Sequence, residues 1–283
     1  MRIPGMGRDM GFEGVVNWAA ANGFGYIDTG TITKDIRATC DKAGIDIGTF
    51  DAGAGVLTWD EAKREGAVER LKAGMKESAA NGGKVMFTVF GPDDAKRPRQ
   101  ETFELWKVVY PPIVEYAEEL GVQIAMEAYP GGGPQYPCIG CTPESWRAMF
   151  NECPSKALGL CFDPSHLVRM QIDYLRALGE FGDRVLHVHG KDTEIRTEEL
   201  YETGIYGRTV THNTIGFGEG WWRYCIPGTG LVDWNKVVAR LEEFGYDRAI
   251  SIELEDHRFW ATPELQQEGL LRSKLHIESF IKA

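Results

Sequence analysis

Gly159-Leu-Cys-Phe-Asp-Pro-Ser-His166 is the stretch that decides the fold. A short apolar run stops at Asp163, and His166 follows across an Asp-Pro break. Three other apolar runs stop in the same manner. Val122-Gln-Ile-Ala-Met-Glu127 ends on a carboxylate, Arg184-Val-Leu-His-Val-His189 on imidazoles, and Ala249-Ile-Ser-Ile-Glu253 on a carboxylate again. Side chains along a strand alternate between two faces. On that period Val122, Ile124 and Met126 share one face, and Gln123, Ala125 and Glu127 the other. Leu158, Leu160 and Phe162 oppose Gly159, Cys161 and Asp163, while Leu186 and Val188 oppose Val185, His187 and His189. In the last run Ile250, Ile252 and Leu254 oppose Ala249, Ser251 and Glu253. The large apolar side of each strand suits packing against helices. The small or polar side ends each time in a side chain able to bind a metal.

Working outward, the same unit repeats along the chain: a short apolar run, a loop, a longer amphipathic stretch. Strands are expected at 24–28, 45–50, 84–90, 122–127, 157–163, 184–189 and 248–254. Helices are expected at 11–22, at 32–43 with a stop at Gly44, and from the capping box Thr58-Trp-Asp-Glu61 to about residue 80. Further helices are expected at 101–120, from Thr142-Pro143, at 167–180, at 234–244 behind Asp233, and from Thr262-Pro263. Strands alternating with helices imply parallel βα units. No GxGxxG or Walker-type loop follows a strand, which removes the main support for a nucleotide-binding sheet. The reading is therefore an α/β protein with a (β/α)8 TIM barrel, one domain over residues 1–283. Its first strand is short or incomplete, since only Arg2-Ile3-Pro4 precedes the first helix. A long insertion or lid loop after strand 7 covers 193–222 and carries His212, Trp221 and Trp222. Sites in such barrels lie at the C-terminal strand ends, where the four ligand-type residues fall.

Composition narrows the function classes. Hydrophobic content of 43% and charged content of 26% are those of a globular protein with a substantial core. A formal charge of −11 argues against a nucleic-acid or anionic-membrane partner, which calls for a basic face. No run reaches the roughly 18 apolar residues of a membrane span, and no leader pattern is visible, so the expected location is cytoplasmic. The 6 cysteines are scattered and read as free thiols. Cys138-Ile-Gly-Cys141 lacks a second ligand pair and reads as two loop cysteines rather than a zinc site.

Two glutamates, one aspartate and one histidine brought to one rim form a hard donor set, suited to Mn2+ or Mg2+, with Co2+ or Zn2+ as alternatives. Like charges held close cannot all stay ionised without a cation. The plain alternative is that the acidic residues cap neighbouring helices and the histidines are satisfied core residues.

In this order and on these strands, the motifs resemble the xylose-isomerase-like sugar phosphate isomerase/epimerase superfamily. They are Met126-Glu127-Ala-Tyr-Pro130, Asp163-Pro-Ser-His166-Leu, His187-Val-His189-Gly-Lys191-Asp192, Ile226-Pro-Gly-Thr-Gly-Leu-Val-Asp233-Trp234 and Ser251-Ile-Glu253-Leu-Glu255-Asp256. The resemblance spans most of residues 11–283 and covers ketose 3-epimerases, inosose dehydratases and a branch acting on 3-keto-glycosides. It implies one divalent metal ion held by Glu127, Asp163, His189 and Glu253. Glu127 and Glu253 would also be an acid/base pair on opposite faces of a keto sugar, isomerised or epimerised through a cis-enediolate. His166 matches a histidine that bonds the substrate near the reacting oxygen. His187 would be a contact behind His189, and Lys191 and Arg223 would offer cationic donors to sugar oxygens. The partner implied is a small sugar, with room for a homo-oligomer, a dimer or tetramer. Elimination of water or an aglycone from a 3-keto sugar begins with the same proton abstraction, so a lyase is the alternative. A non-catalytic sugar- or partner-binding barrel is the reading of another class. The superfamily's endonucleases would need more metal ligands and a basic groove.

Overall fold

The computed structural model describes residues 1–2, 7–133, 135–207, 210, 217 and 220–281. Ile3, Pro4 and His212 lie outside the described residues. In chain order the elements are α1 (Gly7–Ala21), β1 (Tyr26–Thr29), α2 (Lys34–Ala43), β2 (Asp46–Phe50), α3 (Glu61–Ala80) and β3 (Val85–Thr88). Then come α4 (Arg99–Val109), α5 (Pro111–Glu119), β4 (Gln123–Glu127), α6 (Pro143–Glu152), β5 (Leu158–Phe162), α7 (Pro164–Arg169), α8 (Tyr174–Phe181) and β6 (Val185–Gly190). The remainder is β7 (Asp192–Ile195), α9 (Thr197–Thr203), β8 (Trp222–Cys225), α10 (Trp234–Glu243), β9 (Ile250–Ile252) and α11 (Pro263–Glu278).

Seven strands form one sheet in the order β1-β2-β3-β4-β5-β6-β9, and β7 and β8 form a separate pair. The seven strands fall on the seven expected positions, and the pairings described along β1 to β6 are all parallel, as the α/β TIM-barrel class requires. Of the expected first strand the described part is a bridge at Arg2, whose N–H donates to the Ile252 carbonyl at 3.0 Å.

The chain divides into two compact units. One comprises Gly25–Phe162 and Arg184–Val188, and the other Met1–Phe24, Asp163–Asp183 and His189–Ala283. In the first, β1 to β5 pair in sequence order and the start of β6 pairs with β5. The inward, small side of β5 has a steric reason. A Cβ on Gly159 would lie 2.3 Å from the Arg184 carbonyl oxygen, so the backbones approach where only glycine fits. In the second unit, β9 meets the end of β6 through Glu253 N–H to the Gly190 carbonyl at 3.4 Å.

Several helix boundaries depart from expectation for local reasons. Thr58 does not cap α3. The Asp60 side chain accepts from Lys63 N–H, and the Thr58 hydroxyl instead donates to Asp93 at 2.5 Å. The expected helix 101–120 is two helices parted at Tyr110, because Pro111 and Pro112 have no N–H to continue the ladder. The expected helix 167–180 begins earlier and breaks: α7 ends at Arg169 with Met170 as its C-cap, Gln171 adopts φ 58°, and Asp173 caps α8 afresh. Thr142 does cap α6, in a reciprocal box with Ser145.

The expected 193–222 insertion is flanked at its two ends by the strands of an antiparallel ribbon. β7 pairs with β8 in the register Asp192↔Cys225, Thr193↔Tyr224, Glu194↔Arg223 and Ile195↔Trp222. Trp221, Trp222 and Tyr224 are buried together, with Ile195 and Leu200 against them.

Candidate metal centre and active site

The site is best built from the unit that holds Asp163, His189 and Glu253. Asp163 follows β5 and starts α7, with Pro164 at the first helical position. One oxygen, Oδ1, accepts from Ser165 N–H at 2.8 Å as a helix cap. The other, Oδ2, faces Lys191 Nζ at 3.1 Å and His166 Nε2 at 3.4 Å. One oxygen of Asp163 therefore caps α7, the plain alternative of the sequence, while the other is turned to Lys191 and His166. Glu253 follows β9. Its Oε2 lies 3.4 Å from His189 Nδ1 and 2.5 Å from Lys191 Nζ, and its Oε1 lies 3.2 Å from Arg2 Nε. Asp163, His189 and Glu253 each offer a ligand atom within 4.8 Å of the others.

Lys191 is the centre of charge here. It is buried, and its ammonium also meets Glu255 Oε2 at 2.7 Å. Burial pushes the Glu255 carboxyl above its ordinary value, against the pull of Lys191. Lys191 pairs with Asp163, Glu253 and Glu255, and Arg2 pairs with Glu253. Oxygen and imidazole donors converge here beside the buried Lys191. That donor set fits a divalent cation of the Mg2+, Mn2+ or Zn2+ kind.

The remaining candidates stand as follows. Glu127 ends β4 in the other unit, 5% exposed and in register with Cys161 of β5. His187, also in that unit, has Nε2 3.5 Å from Asp28 Oδ2, while Asp28 Oδ1 accepts from Thr49 N–H at 2.8 Å. His166 is buried in α7, with Nδ1 2.6 Å from the Tyr224 hydroxyl. Arg223 is ion-paired with Glu194 across the ribbon, on the face opposite Tyr224. The structure brings Asp163, His166, His189, Lys191 and Glu253 together, and sets Arg223 on the ribbon's other side.

A family model described as a xylose isomerase-like TIM barrel matches residues 7–275. The chain belongs to this family. Among curated relatives, an inosose dehydratase from Lacticaseibacillus casei is 29% identical over 163 residues, which are 58% of this chain and 49% of that protein. The chain thus spans about half the length of the curated relatives it matches. Two solved structures show the fold. One is 3-keto-D-glucoside 4-epimerase from E. coli, with TM-score 0.70, 13% identity, and 99% and 98% of the two chains covered. The other is an IOLI protein with a bound zinc atom, with TM-score 0.67, 19% identity, and 94% and 92% covered.

Within this xylose isomerase-like barrel, sequence reasoning had given no role to three side chains at the site, the half-buried Glu255 and the buried Tyr224 and Arg169. Glu255 lies two places after Glu253, so the period of two carried one step past the strand end would have found it. Tyr224 and Arg169 left no such signal, because the contacts that make them part of the site come from the ribbon. Asp192, next to Lys191, serves the backbone instead. Its two oxygens accept N–H bonds from Thr193, Gly228, Gly230 and Val232 at 2.8–3.1 Å. Burial pushes its carboxyl up to about 6 against those four bonds. It pins the 226–233 loop.

Proposed function

We propose that this chain is a divalent-metal-dependent isomerase or epimerase of a keto sugar, free or as a 3-keto-glycoside, acting through a cis-enediolate. The observation that carries the reading is the convergence of ligand atoms of Asp163, His189 and Glu253 within 4.8 Å of one another, beside the half-buried Glu255. Glu127, buried at the end of β4, is the fourth ligand in this reading. The bound cation, Mn2+ or Mg2+ by donor hardness and Zn2+ or Co2+ as alternatives, would polarise the sugar carbonyl.

The chain's own residues would do the rest. Glu253 and Glu127 exchange protons with the carbon beside the carbonyl, one removing and the other returning a proton on the opposite face. Lys191, with its ammonium among three carboxylates, neutralises charge and offers donors to sugar oxygens. His166 donates to an oxygen near the reacting carbon. His187, against Asp28, supports the site from behind, and Arg223 is an outer donor at the ribbon. The substrate is a small molecule. No helix among the described residues is long and apolar enough to cross a membrane.

A second reading, a dehydratase or other lyase on a 3-keto sugar, is favoured by the inosose dehydratase relatives. Both begin with the same proton abstraction. Solvent-deuterium incorporation across ketoses and 3-keto-glucosides separates them: exchange without elimination supports the epimerase, and loss of water or aglycone the lyase. Absence of exchange in metal-loaded protein would leave a sugar-binding barrel. Glu253→Gln should lower exchange by about 10²- to 10⁴-fold, the usual range for general acid–base catalysis. Full activity in that variant would remove the acid/base role.

A further inference from the structure

The Tyr224 hydroxyl sits between a group that can only donate and one that can do either. Arg169 Nη1 donates to it at 3.0 Å. A guanidinium has five N–H donors and no acceptor, so the tyrosine oxygen is the acceptor in that bond. The same oxygen lies 2.6 Å from His166 Nδ1. Tyr224 is fully buried, and among the described residues its proton has no other hydrogen-bond acceptor. Burial raises the pKa of the phenol, so it keeps that proton, against the opposing pull of the Arg169 and Lys191 charges. The phenolic proton therefore goes to His166 Nδ1. A neutral imidazole that accepts at Nδ1 carries its own proton on Nε2. Nε2 is the nitrogen turned toward Asp163 Oδ2 at 3.4 Å; Lys191 Nζ lies 3.5 Å from it, but its three N–H groups have closer acceptors in Glu253, Glu255 and Asp163 at 2.5, 2.7 and 3.1 Å.

The ribbon holds this arrangement in place twice. Thr193 and Tyr224 are cross-strand partners and so share a face of the ribbon. Thr193 Oγ1 donates to the Ser165 carbonyl at 2.8 Å, one residue before the histidine that Tyr224 meets. Arg169 is itself buried, with its guanidinium 4.0 Å from the centre of the Trp222 ring. Donor, relay and ring are thus fixed by β8, β7 and α7 together.

We propose that Tyr224 and Arg169 are positioning residues that fix His166 as its Nε2–H tautomer, so that the ring presents a hydrogen-bond donor to an oxygen of the bound sugar. The mechanistic half rests on the proposed function; the tautomer half does not. It is tested on Mg2+-loaded protein labelled with ¹⁵N-histidine, by long-range ¹H–¹⁵N correlation, with the His166 signals assigned by their loss in His166→Asn. The expected result is a bare, acceptor-type Nδ1 and a protonated Nε2 in the wild type. In Tyr224→Phe, which removes the hydroxyl and keeps the ring, the Nδ1 signal should move toward the tautomer average. Exchange activity in that variant should fall at least about tenfold in kcat with a smaller change in KM, the worth of about one hydrogen bond. A wild-type ring protonated at Nδ1, or at both nitrogens, overturns the proposal. So does a Tyr224→Phe spectrum identical to wild type. The expected tautomer in a protein that exchanges no sugar proton upholds the assignment and removes the proposed function instead.

Discussion

Replacing Lys191 by methionine keeps the length of the side chain and removes its ammonium. In the native protein that ammonium lies 2.5 Å from Glu253, 2.7 Å from Glu255 and 3.1 Å from Asp163, and the side chain is 1% exposed. Without it, three carboxylates lose a shared counter-charge, while Arg2 keeps its ion pair with Glu253. Deleting one partner of a buried pair costs about 3–5 kcal/mol, because the other charge is left uncompensated. The lower figure applies here, since the Glu253 and Glu255 side chains retain 12% and 21% exposure. Unfolding entropy near 2.1 cal/mol/K per residue gives about 0.6 kcal/mol/K for 283 residues. A loss of about 3 kcal/mol then lowers Tm by about 5 °C. Calorimetry of chelator-treated Lys191→Met against wild type reads the shift, and Lys191→Arg, which keeps the charge, should lose less. Added Mg2+ or Mn2+ should restore more stability to the methionine variant than to wild type, because it meets an uncompensated carboxylate cluster there. A Tm within about 1 °C of wild type, or no difference in response to metal, would refute the charge balance drawn for this site.

Metal itself should stabilise the fold. At free Mn2+ or Mg2+ of 100 times Kd the gain is about 2.7 kcal/mol, a rise of about 4–5 °C that chelation reverses. A melting curve indifferent to chelator and metal counts against the site. Asp192→Asn replaces a carboxylate bonded to four backbone N–H groups by an amide that sets N–H against N–H. It should cost about 2–3 kcal/mol, with protease cleavage appearing in the 226–233 loop. An unchanged cleavage pattern would remove Asp192 as the pin. All six cysteines are buried, and burial pushes the Cys225 thiol up to about 12 and those of Cys40 and Cys153 above their ordinary value. Native protein at pH 8 should therefore react with a thiol reagent only as fast as it opens, and all six should react in denaturant.

The positions of Glu127, Asp163, His189 and Glu253 at the ends of parallel strands were legible because strand alternation is local: each pattern needs only five or six consecutive residues. What escaped depends on contacts that the local pattern does not carry. The break between α7 and α8 turns on Gln171 taking a left-handed conformation, which a glutamine does not advertise. The split at Tyr110 was announced by Pro111-Pro112, yet the surrounding apolar period runs through it. The β7–β8 ribbon looked like an undifferentiated insertion because its strands are joined through a long intervening segment. With the ribbon unread, Arg169 passed as an ordinary helix charge and Tyr224 as an ordinary aromatic.

The two-faced ribbon has a consequence for exchanging parts between proteins. Thr193 and Tyr224 serve α7 from one face, while Glu194 and Arg223 bond to each other on the opposite one. The last ladder pair, Ile195 and Trp222, lies beyond both. A segment spliced in between those two residues must still place Leu200, Phe217 and Trp221 against Tyr224, the residue that reaches His166, and Phe217 must keep its carbonyl at the Tyr224 N–H. The ribbon is thus a socket with a shared rim: what is recut beyond it leaves the chemistry behind it unchanged only where those three contacts are kept.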